Sequence, residues 1–170
     1  MQRLVKQANL VQQEIERNLA GLLQQRHVPY NALELRVFVL SLIAGYRDTL
    51  GRDGQPPLLQ KEFEEALFEP LYLQTGLVFS PEARTDFGTD LKALLWARYR
   101  QYKVKLSADM RRRKALPGSQ HFGGIAVLAA ESIFTQPKDR TDRSNLFANR
   151  MQPILELLEA NIPAPAAEDE

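Results

Sequence analysis

Residues 32–50 read ALELRVFVLSLIAGYRDTL and contain the longest apolar run of the chain. The apolar residues are too dense for one face of a helix, so we expect a helix that is buried on most sides and forms the centre of the core. Asn31 precedes it and can accept hydrogen bonds from the first free backbone amides, which predicts its N-cap. The run from Val37 to Gly45 is far shorter than the roughly 20 residues that span a bilayer, so we predict no transmembrane segment.

A second amphipathic helix is predicted on the N-terminal side, over residues 2–26, because apolar residues recur there at spacings of three and four. Two interpretations of this stripe stay open. It can pack within its own chain, or it can serve as a homodimer face with Asn18 as a polar residue that fixes the register. The residues predicted for the oligomer face are Leu4, Val11, Ile15 and Leu22.

Helical spacing resumes on the C-terminal side of the central stretch. We predict helices over residues 58–74, 81–114, 119–134 and 142–160, with Ser80 as an N-cap and a polar break from Thr135 to Arg143. A restart of the 81–114 helix around Asp90 stays open, because Gly88 and Thr89 lie near its first turns. Period-two alternation, which would indicate strands, is missing from the sequence. The predicted fold is all-α: one domain over residues 1–160, a bundle of six to seven helices with orthogonal or mixed packing. Residues 161–170 are predicted to form a disordered acidic tail.

Composition narrows the classes of function. The chain has 170 residues, of which 44% are apolar and 25% charged, as in ordinary globular domains. It has no cysteine, so disulfides, thiolate metal sites and cysteine nucleophiles are ruled out. The first residues lack the apolar segment of a secretory signal. We therefore expect a cytoplasmic protein.

Residue patterns that carry catalysis are sparse. His27 and His121 are the two histidines, and neither has the Glu-x-x-His or HExxH spacing of a metal site. Residues 119–124, SQHFGG, invite comparison with a phosphate loop but lack its motifs, so we favour close helix packing as the reason for the two glycines. The acidic group Glu62, Glu64, Glu65 and Glu69 suits a solvated helix face. We predict no catalytic, cofactor-binding or metal-binding residues.

Charge distribution is the feature that departs from the average. Residues 92–114 hold 9 basic side chains and 1 acidic one, although the whole chain has a net charge of only +1. On a helix, part of this segment forms a basic ridge beside an apolar sector of Leu91, Leu95, Tyr99, Tyr102 and Leu106. The surface predicted to bind an anionic partner consists of Lys92, Arg100, Lys103, Arg111, Arg112, Arg113 and Lys114.

Three classes of function remain from the sequence. We favour a non-enzymatic helical protein, an adaptor or regulator, that binds another macromolecule, in particular a protein. The second interpretation is a nucleic-acid-binding or regulatory protein that uses the basic helix 92–114. Against both stands internal pairing of the basic residues with the acids at 62–69 or 168–170. The third interpretation is an enzyme or small-ligand-binding protein with a pocket between residues 37–46 and 125–134.

Overall fold

The computed structural model describes residues 1–51, 57–72, 91–116 and 122–163, and in these ranges the chain is helical with no strand. The predicted all-α class is confirmed, with seven helices in the described ranges. Their bounds are α1 Gln2–Gln25, α2 Ala32–Gly51, α3 Pro57–Tyr72, α4 Leu91–Ala115, α5 Gly123–Ile133, α6 Pro137–Asp142 and α7 Asn145–Asn161.

Helix α2 is the centre of the core, as its sequence predicts. It packs against α1, α3, α4 and α5. Every residue from Leu33 to Arg47 except Arg36 is buried. The Asn31 side-chain oxygen accepts a hydrogen bond from the backbone amide of Glu34 at 3.0 Å, so the predicted N-cap is confirmed.

A glycine sets how closely α2 approaches α4. A Cβ atom at Gly45 would lie 3.1 Å from Leu106 Cδ2 and 3.9 Å from the Cα atom of Lys103. The first distance is tighter than ordinary van der Waals contact, so a larger residue would require the Leu106 side chain to shift. The close packing brings the side chains of α4 within reach of the charged groups on α2.

Those charged groups are Glu34 and Arg47, which lie among apolar neighbours. Glu34 is fully buried, and its Oε2 atom lies 3.4 Å from Nε of Arg98 on α4. Arg47 donates a hydrogen bond to Oε1 of Gln60 on α3 at 3.0 Å, and its guanidinium lies 4.9 Å from the centre of the Phe63 ring. Each buried charged group on α2 therefore has a polar partner on a neighbouring helix.

Helix α1 ends in a left-handed turn at His27, whose φ is 55°. The amide of Val28 donates to the carbonyl of Leu23 at 2.9 Å, and the amide of His27 donates to the carbonyl of Gln24 at 3.1 Å. These two bonds define a Schellman motif, which satisfies carbonyl groups that a helix end leaves open. His27 is exposed, as expected for a residue at the end of a helix.

The turn after α1 leads into a contact with a distant segment. The amide of Asn31 donates to the carbonyl of Ile133 at 2.8 Å, and the amide of Thr135 donates to the carbonyl of Pro29 at 3.3 Å. The two loops form an isolated antiparallel bridge between Tyr30 and Phe134. The start of α2 is thereby fixed to the end of α5.

The structure corrects three details of the sequence interpretation. The stretch from Thr135 to Arg143, predicted as a break, contains α6, and the last helix begins at Asn145 rather than near residue 142. Pro137 is the first residue of α6, where its missing amide hydrogen costs nothing. The last buried position of the α1 stripe is Leu23, whereas Leu22 is half-buried.

Some predictions fall on residues that the structure does not describe. These are the helix start at Ser80 and the following ten residues, the position of His121, and the acidic tail from residue 164 onward. The first residues of the predicted tail are described, and they continue the fold: Asn161 ends α7 and Ile162 is buried.

Replacement of His27 by glycine is expected to stabilise the protein. A side chain in the left-handed region costs about 1–2 kcal/mol of folding free energy. Glycine avoids this cost, but it also makes the unfolded chain more flexible, which offsets roughly half of the gain. His27→Gly should thus raise the free energy of unfolding by about 0.5–1 kcal/mol in urea denaturation. His27→Ala keeps the strain and should bring no such gain. Equal gains from both variants would show that the imidazole, not the backbone, is responsible.

Removal of Arg98 is expected to be costly because it leaves Glu34 buried without this cation. Arg98→Met should lower the free energy of unfolding by about 3–5 kcal/mol. The double variant Glu34→Leu with Arg98→Met should recover most of that loss, since it removes both charges. Urea denaturation of the two single variants and the double variant measures the coupling. If the double variant loses as much as the sum of the single ones, the pair is not coupled.

Candidate functional site

Helix α4 is held to the core by the apolar sector that the sequence predicts. Leu95, Tyr99, Tyr102 and Leu106 are all buried, and the side chain of Leu91 lies outside the described part. Phe38 of α2 lies 5.2 Å from Tyr102 between ring centres. This inner face fixes which basic side chains of α4 point toward the protein and which point to solvent.

Several basic residues of α4 are engaged within the chain. Nζ of Lys103 lies 3.5 Å from Oδ2 of Asp48 and 3.5 Å from Oε1 of Glu64, so Lys103 joins α4 to both α2 and α3. Arg98 pairs with Glu34, as described above. The guanidinium of Arg113 lies 5.9 Å from the ring centre of Phe122. Internal pairing therefore accounts for part of the predicted anionic-partner surface, Lys103 above all.

A polar cluster around Glu64 occupies the junction of α2, α3 and α4. Oε1 of Glu64 accepts hydrogen bonds from the Tyr99 hydroxyl at 2.5 Å and from Nε2 of Gln60 at 2.9 Å. The same Gln60 nitrogen donates to the backbone carbonyl of Ala44 at 3.0 Å. Burial, and after it the charge of Glu64, raises the pKa of Tyr99 far above its ordinary value. Tyr99 therefore stays protonated and acts as a donor that fixes the carboxylate.

Asp109 is the acidic residue of α4, and it is used at the start of α5. Its Oδ2 atom accepts a hydrogen bond from the amide of Ile125 at 2.9 Å, and its Oδ1 atom lies 3.0 Å from Nη2 of Arg112. A Cβ atom at Gly124 would lie 3.1 Å from Oδ1, so the glycine makes room for this carboxylate. The Asp109 carboxylate thus occupies the N-terminus of α5, where an external anion would otherwise bind.

The remaining basic residues of α4 form its solvent-facing side. Arg100, Lys105, Arg111 and Lys114 are exposed, and within the described part of the chain no carboxylate lies within ion-pair distance of them. We call Arg100, Val104, Arg111 and Lys114, which share one side of the helix, the cationic face. Lys105, which was not part of the predicted surface, lies about 100° around the helix from Val104. Lys92 and Arg112, also in the predicted surface, are exposed as well but make contacts inside the chain.

Val104 is a member of this face that the charge pattern did not reveal. It lies four residues after Arg100 and seven before Arg111, and 65% of its surface is exposed. Residues at these spacings share one side of a helix. A search of the helix for apolar residues among the basic ones, rather than for charge alone, would have found it.

The residues predicted as an oligomer face take a different place in the structure. Leu4, Val11 and Ile15 are buried in the core of the single chain, and Leu22 is half-buried. Helix α1 packs against α2, α3 and α7. The stripe is thus used within the chain, whereas Asn18 is exposed. Formation of a homodimer stays a prediction.

Open grooves run along α1 in the described part of the chain. One, of about 520 Å³, lies between α1, α2 and α3 and contains the ion pair of Glu16 and Arg36. Another, of about 640 Å³, lies between α1 and α7. In the region predicted for a ligand pocket, residues 37–46 facing 125–134, α2 packs against α5 and residues 37–46 are all buried. A ligand pocket there stays a prediction. In the described ranges, no group of three or more His, Asp or Glu residues is arranged to hold a metal.

Loss of the Asp109 carboxylate is expected to destabilise the start of α5. Asp109→Ala should lower the free energy of unfolding by about 2–3 kcal/mol, because a buried charged cap is lost and Arg112 loses its partner. Asp109→Asn keeps an oxygen acceptor and should lose less. Asp142→Ala, at an exposed carboxylate on α6, is the control and should stay within about 0.5 kcal/mol. Equal losses at positions 109 and 142 in urea denaturation would contradict the role given to Asp109.

Among the residues described, no helix is long and apolar enough to cross a bilayer. The surface features that stand out are the cationic face of α4 and the grooves along α1. No protein-family model, no curated protein and no solved structure matches this chain.

Proposed function

We propose that this chain is a non-enzymatic adaptor or regulatory protein that binds an acidic surface of another protein through the cationic face of α4. The observation that carries the proposal is the exposed valine among unpaired cations. Val104 is 65% exposed, and Arg100 and Arg111 flank it on the same side of the helix. The lack of cysteine suits a reducing compartment, so the proposal places the partner in the cytoplasm.

The chemistry of this face favours a protein over a nucleic acid. Arginine and lysine can bind carboxylates or phosphates, so the charges alone do not distinguish the two partners. A valine side chain gains nothing from a phosphate backbone, whereas an apolar side chain of a protein partner can cover it. Ala97 and Ala108 lie on the same side of the helix and are small, so a partner helix can approach closely.

The face is supported by rigid contacts beneath it. The inner side of α4 carries buried aromatic residues, and Lys103 is fixed by carboxylates from α2 and α3. Asp109 joins the second half of α4 to the start of α5. Because the helix is held from below, little backbone order has to be gained when a partner binds, and this favours affinity.

Substitution of Val104 by lysine separates the two classes of partner. The added cation should strengthen binding to nucleic acid, because one more counterion is released. It should weaken binding to a protein by about tenfold, the equivalent of roughly 1.4 kcal/mol for a lost apolar contact. Lysine is also a better helix former than valine, so the fold should persist. Quantitative affinity capture from extracts of the source cells and titration of mixed RNA and DNA duplexes over a salt series measure the two effects.

Val127→Lys is the matched control. Val127 is an exposed valine on α5, outside the cationic face, so this variant adds the same charge elsewhere. The proposal expects captured proteins to be lost from Val104→Lys and retained by Val127→Lys. Duplex binding that is steeply salt-dependent and tighter for Val104→Lys would instead make the chain a nucleic-acid-binding protein. Capture that is unchanged in both variants would remove α4 as the site.

A further inference from the structure

The groove between α1 and α7 has the form of a docking site. Its volume is about 640 Å³, and its floor is apolar. Ile15, Leu19 and Ile154 are buried at the bottom, and Leu22 and Leu157 are half-buried on the walls. Leu22 and Leu157 thus present the apolar surface that a partner could cover.

Two residues that disfavour helices line this same groove. Gly21 lies inside α1, and Pro153 lies inside α7. Glycine weakens a helix through its flexibility, and proline removes a backbone hydrogen bond. A Cβ atom at Gly21 would have no heavy atom within 4 Å, so packing inside the chain does not require glycine there. Both helices that form the groove thus carry a residue that lowers helix stability. Such residues are expected at surfaces where function, and not stability, determines the sequence.

The charged residues that line the groove are both basic. Arg17 of α1 and Arg150 of α7 line it, and both are exposed. No described carboxylate lies within ion-pair distance of either arginine. The lining residues of this groove contain no acid, and Asn18 and Gln25 supply neutral hydrogen-bonding groups. An occupant must therefore combine apolar and acidic groups.

We propose that the α1–α7 groove binds an acidic amphipathic helix of another protein. A helix presents apolar residues at positions i, i+4 and i+7 over about 10.5 Å, which matches the length of α7 from Arg150 to Leu157 that lines the groove. Acidic residues beside that apolar stripe would meet Arg17 and Arg150.

Two other occupants suit the groove less well. A second copy of the chain, related by a two-fold axis, would bring this acid-free patch against itself and place arginine near arginine. A small apolar anion requires a site that encloses most of its surface, whereas six residues lining this groove are exposed. The proposal does not rest on the function assigned to α4, because α4 packs on α2 and α5 while the groove is built from α1 and α7.

The test uses the full chain and a fluorescein-labelled synthetic 16-residue peptide. Leucine occupies positions 4, 8 and 11 of the peptide, and glutamate and alanine fill the rest. Fluorescence anisotropy should show saturable binding that a scrambled peptide of the same composition lacks. Arg17→Glu combined with Arg150→Glu should weaken binding by about tenfold or more, as two ion pairs become repulsive.

Gly21→Leu is a second variant, in which a loss of peptide binding would not be explained by unfolding of the protein. The site above Gly21 is open and leucine is the better helix former, so the melting temperature should stay the same or rise. The leucine side chain should nevertheless fill the groove and weaken binding of the peptide by about tenfold. Arg3→Glu, at an exposed cation of α1 that does not line the groove, is the charge control and should leave binding unchanged.

Four results would overturn the proposal. The first is equal affinity for the amphipathic and the scrambled peptide. The second is loss of binding in Val104→Lys or Arg100→Glu but not in the groove variants, which would place the peptide on α4. The third is a dimer in light scattering that Gly21→Leu converts to a monomer, which would identify a second copy as the occupant. The fourth is displacement of the peptide by hexadecanoate at stoichiometric concentration, which would identify a small apolar anion.

Discussion

The burial of α2 on nearly every side is the constraint on which the rest of the fold depends. A helix with only apolar side chains in that position would need nothing further from its neighbours. Helix α2 instead carries Glu34 near its start and Arg47 near its end, both inside the protein. An isolated charge in such a place costs several kcal/mol (about 3–5 when one partner of a pair is removed). The neighbours of α2 must therefore supply the opposite charges and hydrogen-bonding groups.

This requirement explains why α4 has two kinds of basic residue. Arg98 and Lys103 face acidic groups of α2 and α3, whereas Arg100 and Arg111 face solvent. The first kind fixes the position of α4 and the second kind gives its surface a charge. A strongly basic helix can thus belong to a chain of nearly neutral total charge without being a dedicated anion-binding element along its whole length. The number of basic residues in α4 therefore does not show how many of them are available to a partner, because some pair with acidic groups inside the protein.

Sequence reasoning recovers the parts of this structure that depend on local patterns. The central helix and its Asn31 cap follow from apolar density and side-chain chemistry, and the structure has both. The sequence does not indicate α6, because its six residues carry no apolar period and it is held in place by polar contacts such as that of Arg140 with the Phe134 carbonyl. The role of Asp109 was equally invisible, since its partner Ile125 lies sixteen residues away. A straight helix has 3.6 residues per turn, so its buried stripe drifts relative to a seven-residue repeat. The last buried position of α1 is therefore Leu23 and not Leu22, which the heptad pattern predicts.

The bridge between the loops at residues 29–31 and 133–135 also bears on how the chain is made. It joins segments about a hundred residues apart, so the surface of α2 that faces α4 and α5 has no cover until the second half of the chain has been synthesised. At typical rates of translation this interval lasts roughly 5–20 s. During that time the apolar surface of α2 is exposed outside the ribosome, with α1 and α3 as its first available neighbours. Protection by chaperones is consequently most needed for the nascent chain that ends between α2 and α5.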